Sequence, residues 1–307
     1  MNIADLIFLY AAEEKSISKA AARAYVSQQC ASKHIQNLEL KFGVPLIRRR
    51  PRFSLTEAGQ ALFASLQQIH MLESATAERI AELSGGSTGT LTLGINASRA
   101  RLLLPAVLQT YRQHFPNVCV SVRCDDTARL TQLLLQGGVD LIIGVNSAAD
   151  PRFHVTPLLT EPVYFVAGTQ LLHDFLPDVG QDVSALSLQQ IARLPLCMNL
   201  PGSTLAELLG RCAARQNVCL LPSFTTSDYG LQLAMCREGL FGFFCPASLL
   251  PGVYAVCGLR VFSVVGLQEQ LHIECIRSSG TVQPAYAKAF EALLLKHCLA
   301  ERQHSAF

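Results

Sequence analysis

Apolar residues recur at helical spacing at the start of the chain. They are Ile3, Leu6, Ile7 and Tyr10, and this spacing predicts an amphipathic helix. Ser16 and Ser18 lie at the start of an alanine-rich run at 19–24, which predicts a second, short helix. The chain therefore begins with a small helical unit.

A third helix is predicted from Ser27, whose hydroxyl can cap it, to about Leu40. Its predicted buried stripe consists of Ala31, Ile35, Leu38 and Phe42. Gly43 suits the left-handed position after a helix, and Pro45 follows, so the helix should end there. The spacing across 16–40 fits a helix-turn-helix.

A long helix is predicted over 56–83, with Thr56 as its cap and Glu57 in its first turn. A helix of this length that projects from a small domain must bury its apolar stripe somewhere. We expect it to pair with a second copy of the chain, and packing on its own chain is the alternative. The predicted dimerisation residues are Leu62, Leu66, Ile69, Leu72 and Ile80.

A glycine- and serine-rich linker at 84–89 separates this helix from a different pattern. Strands are predicted at 91–95, 118–124 and 141–145, with helices at 102–114 and 128–136 between them. This alternation predicts a parallel sheet with right-handed crossovers. A second α/β set is predicted at about 163–265, followed by a returning strand at 271–276 and a closing helix at 285–297.

Half of the residues are hydrophobic, which raises the question of a membrane span. The longest uncharged stretch, 239–259, reaches the ~20 residues that a span requires. Because it contains Pro246, Pro251 and four glycines, we predict two short buried strands there instead. The N-terminus has no basic segment before an apolar stretch, so we expect a cytoplasmic protein with no membrane partner.

The net charge of +2 is unevenly distributed. Residues 1–58 contain nine basic and five acidic residues, whereas the rest of the chain contains 16 basic and 18 acidic ones. A basic N-terminal part joined to a mildly acidic body indicates a nucleic-acid partner.

The third helix has a polar face opposite its apolar stripe. Its members, all candidates for contact with DNA, are Ser27, Gln28, Gln29, Ser32, Lys33 and Gln36. Glutamine can pair with adenine, and lysine can donate to guanine or to a phosphate. An ordinary solvated helix face has the same composition, so this face alone does not decide the function.

A basic turn follows the predicted helix-turn-helix. Its candidate DNA-binding residues are Arg48, Arg49, Arg50 and Arg52. Short strand-like pieces on either side of the turn predict a wing that contacts phosphates or the minor groove. A charged run directly after a helix-turn-helix favours DNA binding over a solvated loop.

Residues 3–60 resemble the N-terminal domain of LysR-type transcriptional regulators. The matching segments are SKAA at 18–21, VSQ at 26–28, SKHI at 32–35, LE at 38–39, FGVPLI at 42–47 and LTEAG at 55–59. Gln29 stands where the family usually has proline, Cys30 and Ala31 replace a common apolar pair, and the wing is about one residue shorter. These departures affect which bases the helix is expected to contact and do not affect the expected DNA-binding role.

The resemblance implies an α/β protein with an N-terminal winged helix-turn-helix, a long linker helix and a two-lobed effector domain like that of periplasmic binding proteins. It implies a DNA-binding domain at 1–58, a dimerisation helix and hinge at 59–89, and an effector-binding domain at 90–307. Lobe I would comprise about 90–161 and 267–307, and lobe II about 162–266.

The resemblance also implies a sequence-specific transcription regulator controlled by a small-molecule effector. Its partners would be a dyad-symmetric site in double-stranded DNA, a second or further copies of itself as a dimer or tetramer, and RNA polymerase. It would act in the bacterial cytoplasm, on the nucleoid when bound. No enzymatic activity, cofactor or metal site is expected, because the sequence has no nucleotide-binding glycine pattern and no H-E-x-x-H pattern. A solute-binding protein or an enzyme built on the C-terminal body is the competing class.

Family members bind their effector between the lobes, near strand ends and helix N-termini, where free N–H groups suit anions. The corresponding residues here are Ser98, Arg99, Thr127, Asn146, Asn199, Ser203, Thr204, Thr226 and Ser227. A cap of a helix is the alternative role for each hydroxyl. These polar groups predict a cleft for a small, anionic metabolite.

Eleven cysteines without a C-x-x-C pair predict reduced, buried thiols. A thiol-sensing regulator of the same family is the alternative. Its candidate residues are Cys197, Cys212, Cys219 and Cys236.

Overall fold

A computed structural model describes residues 1–48, 53–83, 88–280 and 283–304. The chain divides into two compact units, one formed mainly by residues 1–89 and the other by most of the remainder. Arg49, Arg50 and Arg52 of the predicted wing lie outside the described residues.

The first unit has four helices and a two-stranded ribbon in its described part. They are α1 (Ile3–Glu14), α2 (Ile17–Arg23), α3 (Gln28–Phe42), β1 (Ile47–Arg48), β2 (Ser54–Leu55) and α4 (Glu57–Leu83). Side chains of Asn2, Ser16 and Ser27 cap the first three helices. Gly43 ends α3 with a φ of 69°, a left-handed conformation that favours glycine.

Small residues let α2 and α3 approach each other and α1. Ala20, Ala21 and Ala31 are buried there beside Ile7 and Ile35, which gives the predicted helix-turn-helix one apolar core. The prediction that Phe42 belongs to this core is wrong, since 47% of its surface is exposed. Residues 40–45, at the end of α3 and directly after it, are exposed, so the apolar stripe ends before Phe42.

The ribbon pairs β1 and β2 in antiparallel fashion and is joined to α3 by a carboxylate. Glu39 accepts hydrogen bonds from the backbone N–H groups of Leu46 and Ile47. Gly59 of α4 packs so tightly on this segment that a Cβ would lie 2.0 Å from the carbonyl oxygen of Leu46. The ribbon is therefore held on both sides, with Arg48 exposed upon it.

The apolar stripe of α4 divides into two parts. Leu66 is 4% exposed and belongs to the core of the first unit, with Leu62 packed partly against it. Leu66 corrects the predicted dimerisation seam, because packing on its own chain covers it, whereas Leu62 is only partly buried and its place in the seam stays a prediction. Ile69, Leu72 and Ile80 are exposed along the rest of the helix.

The second unit contains a first lobe built on a five-stranded sheet. Its elements are β3 (Gly89–Ile95), α5 (Ala97–His114), β4 (Val118–Cys124), α6 (Thr127–Leu135), β5 (Leu141–Val145), β6 (Phe153–Glu161), β13 (Leu271–Ser278) and α12 (Ala285–His304). The strand order is β4-β3-β5-β13-β6. Tyr111 of α5 packs edge-on against Phe290 of α12 and donates its hydroxyl to the carbonyl oxygen of Tyr286.

The second lobe is built on a six-stranded sheet in the order β10-β9-β11-β7-β12-β8. Its strands are β7 (Val163–Gly168), β8 (Ala185–Ser187), β9 (Leu196–Met198), β10 (Pro222–Thr225), β11 (Gly242–Pro246) and β12 (Leu259–Val265). Its helices are α7 (Thr169–Phe175), α8 (Leu188–Ile191), α9 (Thr204–Arg215), α10 (Tyr229–Arg237) and α11 (Leu250–Tyr254), with a 3₁₀ turn at Ala247–Leu249. The chain crosses between the sheets after β6 and again before β13.

The parallel pairing predicted for the first strands is confirmed for β3 and β5, while both sheets as a whole are mixed. β3 and β5 are parallel, but β13 returns antiparallel to both β5 and β6, and β7 is antiparallel to both of its neighbours. The crossings between lobes bring strands back in the opposite direction, which a local pattern does not reveal. The stretch 239–259 contains one buried strand and a short helix, where two strands were predicted. Within the described ranges, no helix has the length and apolarity of a membrane span.

Candidate DNA-binding surface and ligand cavity

The N-terminus of α3 presents a polar face, here named the recognition face. It consists of Gln28, Gln29, Ser32, Lys33 and Gln36, of which Ser32 is half-buried and the others are exposed. The opposite face of the helix buries Ala31, Ile35 and Leu38. The amide and ammonium groups are therefore directed to solvent on a helix that its core holds in place.

Ser27 has a structural role at this site. Its Oγ accepts a hydrogen bond from the backbone N–H of Cys30 at 3.2 Å and caps α3. Tyr25, which the sequence pattern did not single out, is 97% exposed in the turn before α3 and has a left-handed φ of 55°. An aromatic residue in a helix-helix turn was the only signal for it. Tyr25 adds a hydroxyl beside the start of the recognition face.

A cavity of about 460 Å³ lies between the two lobes, here named the inter-lobe cavity. Six predicted residues line it: Arg99, Thr127, Asn199, Ser203, Thr204 and Ser227. Three carboxylates, those of Asp125, Asp126 and Asp228, also line it. The structure therefore brings together polar groups that are far apart in the sequence.

Four helices begin at the wall of the inter-lobe cavity. The first turns of α5, α6, α9 and α10 contribute Ala97, Thr127, Thr204 and Tyr229. Their positive dipole ends favour negative charge at this point. Side-chain caps already occupy one N–H of each helix, for instance Asn96 on Arg99 and Ser203 on Ala206.

The two lobes also meet through the end of β5. The backbone N–H of Val145 donates to Oγ1 of Thr127 at 3.0 Å, within the first lobe. Its carbonyl oxygen accepts from Oγ1 of Thr204, in the second lobe, at 3.3 Å. Thr204 therefore combines a place in the cavity wall with a direct bond between lobes.

Arg99 lies at the cavity wall in a buried ion pair. Its Nη2 is 2.9 Å from Oε1 of Glu161, and the two side chains are 6% and 4% exposed. Oε2 of Glu161 accepts from the backbone N–H of Ser248 at 2.7 Å, so this carboxylate joins the first lobe to the second. Nε of Arg99 is buried without a hydrogen-bond partner among the described residues, which leaves it a donor for a ligand.

A second, exposed ion pair also joins the lobes. Nη2 of Arg101 on α5 is 2.8 Å from Oδ1 of Asp228, the cap of α10. Burial raises the pKa of Asp228, but hydrogen bonds from the N–H of Gly230 and from Arg101 outweigh it, so the pKa lies below its usual value. Asp228 is therefore ionised at neutral pH.

The remaining predicted effector residues lie elsewhere. Asn146 lines a neighbouring cavity of about 280 Å³, and its Oδ1 accepts from the backbone N–H of His272. Oγ1 of Thr226 accepts from the backbone N–H of Asp228 in the turn before α10. Ser98 is buried and lines a separate, largely apolar cavity. The residues that sequence reasoning missed include Glu161 and Tyr229, which carry no local signature.

The cysteines do not favour the thiol-sensing alternative. Cys197, Cys212 and Cys236 are buried, and Cys219 is exposed. Burial raises the pKa of the Cys197 thiol to about 11 and that of Cys236 to about 12. Because the thiolate is the reactive form, these two thiols are unreactive near neutral pH.

Two family profiles match the sequence. The profile described as the bacterial regulatory helix-turn-helix protein of the lysR family matches residues 6–60. The profile described as the LysR substrate binding domain matches residues 84–299. The second match alone covers more than half of the chain.

Curated relatives share part of this sequence. A probable RuBisCO transcriptional regulator of Synechocystis sp. is 37% identical over 149 residues, which cover 48% of this chain and 43% of the relative. The HTH-type transcriptional regulator cbl of Klebsiella aerogenes is 31% identical over 197 residues, 63% of this chain and 60% of the relative. The chain spans about half the length of the curated relatives it matches.

Solved structures share the fold over nearly the whole chain. ArgP from Mycobacterium tuberculosis superposes with a TM-score of 0.72 at 19% identity, over 97% of each chain. CbnR in complex with its target DNA has a TM-score of 0.62 at 21% identity, over 96% of this chain and 99% of that one. Together with the two profiles, these findings assign the fold, and the chain belongs to the LysR family.

Proposed function

We propose that this protein is a LysR-type transcription regulator that binds a specific site in double-stranded DNA as an oligomer. The observation that carries the proposal is the recognition face, which exposes Gln28, Lys33 and Gln36 on a helix whose other face is buried. A small molecule in the inter-lobe cavity controls it. Contact with RNA polymerase belongs to the same proposal.

In this proposal α3 enters the major groove and its glutamines pair with adenine edges. Lys33 donates to guanine or to a phosphate. Tyr25 and Arg48 contact the sugar-phosphate backbone of the DNA on either side of the groove. The sequence supports the same phosphate-binding role for Arg49, Arg50 and Arg52. Two copies joined along α4, through the exposed Ile69, Leu72 and Ile80, match a dyad-symmetric site.

The cavity wall favours an effector with two kinds of polar group. The starts of α5 and α9, and Nε of Arg99, suit a carboxylate. The carboxylates of Asp125 and Asp126 would repel a purely anionic molecule and suit an amino group or another donor. The proposed effector is therefore a small metabolite that carries both a carboxylate and such a donor. This is a narrower class than the anionic metabolite expected from the sequence.

Footprinting on the promoter region beside its own gene tests the DNA-binding role. We expect one protected site with dyad symmetry, and an affinity that falls by about 10³–10⁵ between 50 and 200 mM salt if six to ten phosphates are contacted. Equal, weak binding to all duplexes would contradict the proposal.

Thermal-shift measurements test the effector class. Leucine, 4-methylpentanoate and 3-methylbutylamine share most of a carbon skeleton and differ in their charged groups. If the proposal holds for this skeleton, the amino acid stabilises the protein more than either singly charged molecule. Thr204→Val, which removes a hydroxyl from the cavity wall, should reduce that shift. A larger shift with 4-methylpentanoate than with leucine would contradict the two-group effector.

A further inference from the structure

The largely apolar cavity that Ser98 lines also has a volume of about 280 Å³, and it borders Tyr229, which lines the inter-lobe cavity as well. We propose that this cavity, here named the apolar pocket, is a second ligand site for a small apolar molecule that carries an oxygen acceptor. Only its effect on transcription rests on the proposed function, since binding itself is measured without DNA.

The wall of the apolar pocket comes from both lobes. Leu102 on α5 contributes from the first lobe, and Leu233, Phe243, Cys245, Leu249 and Val253 contribute from the second. An apolar cavity of about 150 Å³ is large enough for benzene. The pocket therefore has room for a fused pair of rings or a branched chain of similar size. Such a molecule gains contacts with side chains that otherwise face water or empty space.

Three polar groups line the pocket and define where the ligand oxygen lies. The Oγ of Ser248 is buried and has no hydrogen-bond partner within the described ranges, although its backbone N–H is bonded to Glu161. The Oγ of Ser98 is 3.4 Å from Nη2 of Arg101. A buried hydroxyl without a partner is costly, so an acceptor oxygen that meets Ser248 is favoured.

Arg101 supplies a positive charge at the rim. The bonds of its guanidinium to Ser98 and Asp228 both use Nη2, whereas an arginine has five N–H donors on three nitrogens. Its exposed side chain can therefore donate to a ligand oxygen while the ion pair persists. A carboxylate is the acceptor that fits Arg101 and the Ser248 hydroxyl together.

The apolar pocket shares walls with the inter-lobe cavity. Tyr229 lines both, and the partner of Arg101, Asp228, lines the inter-lobe cavity. A molecule in the pocket also contacts α5 of the first lobe and α10 and α11 of the second. The proposal includes coupling between the two sites, in which a ligand in the pocket changes the affinity of the inter-lobe cavity for the effector and the reverse holds by the same factor.

Gly252→Leu in the full-length protein tests the pocket with 2-naphthoate as the probe. A Cβ at Gly252 would meet only Cδ2 of Leu233, at 3.9 Å, so a leucine extends into the pocket without a backbone clash. We expect saturable binding to the wild type by calorimetry, at about millimolar affinity or better, and at least a tenfold weaker affinity in the variant. Gly210→Leu is the matched control, since it enlarges a glycine of α9 that faces open space, and should bind like the wild type.

Two further variants identify the bound position. Ser248→Ala removes the unpartnered hydroxyl and should weaken 2-naphthoate about 2- to 10-fold, as loss of one hydrogen bond does. Asp125→Asn alters the inter-lobe cavity at an exposed side chain and should leave this affinity unchanged. The proposal is overturned if 2-naphthoate does not bind the wild type. It is equally overturned if Gly252→Leu binds normally, or if only Asp125→Asn loses affinity.

Discussion

The recognition face and the inter-lobe cavity use polar groups in opposite ways. The face presents Gln28, Lys33 and Gln36 to solvent, on a helix held by an apolar core. Two charged residues of the cavity wall, Arg99 and Asp228, are instead paired with Glu161 and Arg101. A DNA partner therefore meets groups that are already exposed, whereas a ligand in the cavity meets charged groups that are already paired across the lobes.

The largest effect is expected for Glu161→Ala, which leaves the buried Arg99 guanidinium without its carboxylate. We expect the free energy of unfolding to fall by about 3–5 kcal/mol, because an uncompensated charge stays buried. Urea denaturation measures it. Arg152→Ala is the control, since it breaks the ion pair with Asp150 in the same lobe by removing an exposed side chain and should cost nothing measurable. Equal stability of the two variants would contradict the structural role of the buried pair.

The substitutions Leu66→Ala and Leu72→Ala distinguish the roles of the buried and the exposed part of the α4 stripe. Leu66→Ala should destabilise the first unit by about 2–5 kcal/mol, because it opens a cavity in the core. Leu72→Ala should leave folding unchanged and weaken self-association, since its side chain is exposed. Denaturation and sedimentation measure the two effects. The comparison is made at a concentration where the wild type and the Leu72→Ala variant are both monomeric. If the variant is then less stable than the wild type, Leu72 supports the fold of its own chain and does not belong to the proposed seam.

The recognition face is tested by the double substitution Gln28→Ala and Lys33→Ala. We expect specific affinity to fall by about 1–3 kcal/mol for each lost base contact, with stability unchanged because both side chains are exposed. Lys41→Ala, at the far end of the same helix, matches the lost charge and should keep sequence preference. Unchanged discrimination between operator and random DNA in the double variant would place the base contacts elsewhere.

The smallest expected effect concerns the exposed pair of Arg101 and Asp228. Because the folded-state pKa of Asp228 is lowered, this carboxylate stabilises the fold above its unfolded pKa and loses that contribution as the pH falls through the folded value. Asp228→Asn should therefore show a shallower decline of Tm below about pH 4. The difference should stay under about 1 kcal/mol, because both side chains are largely exposed. Parallel pH profiles would show that the pair contributes nothing to stability.

Local patterns predicted much of the first unit. The caps at Ser16 and Ser27, the buried Ala31, Ile35 and Leu38, and the glycine after α3 depend on residues within a few positions. Phe42 and Leu66 were misjudged for one reason. Periodicity shows which residues share a helix face, but only the neighbours in three dimensions decide how far along the helix that face is covered.

Local patterns predicted less of the inter-lobe cavity, because its residues come from distant parts of the sequence. Ser203 and Asp228 were predictable as polar residues at helix starts, and the structure has them as caps. Ser98 and Arg99 are adjacent in the sequence but line different cavities, because successive residues of a helix point about 100° apart. The partners of Arg99 and Arg101 lie 62 and 127 residues away, beyond any local pattern.

The amino-acid order alone was sufficient for the helix-turn-helix, its polar face and the alternation of strands and helices, since each follows from spacing and local hydrogen bonding. Folding in three dimensions settled the direction of the returning strands, the burial of Leu66 and the pairing of the charges around the cavity. It also formed the apolar pocket from two lobes. Each of these depends on segments that meet only after the chain has crossed between the sheets, where burial and charge neutralisation act between distant residues.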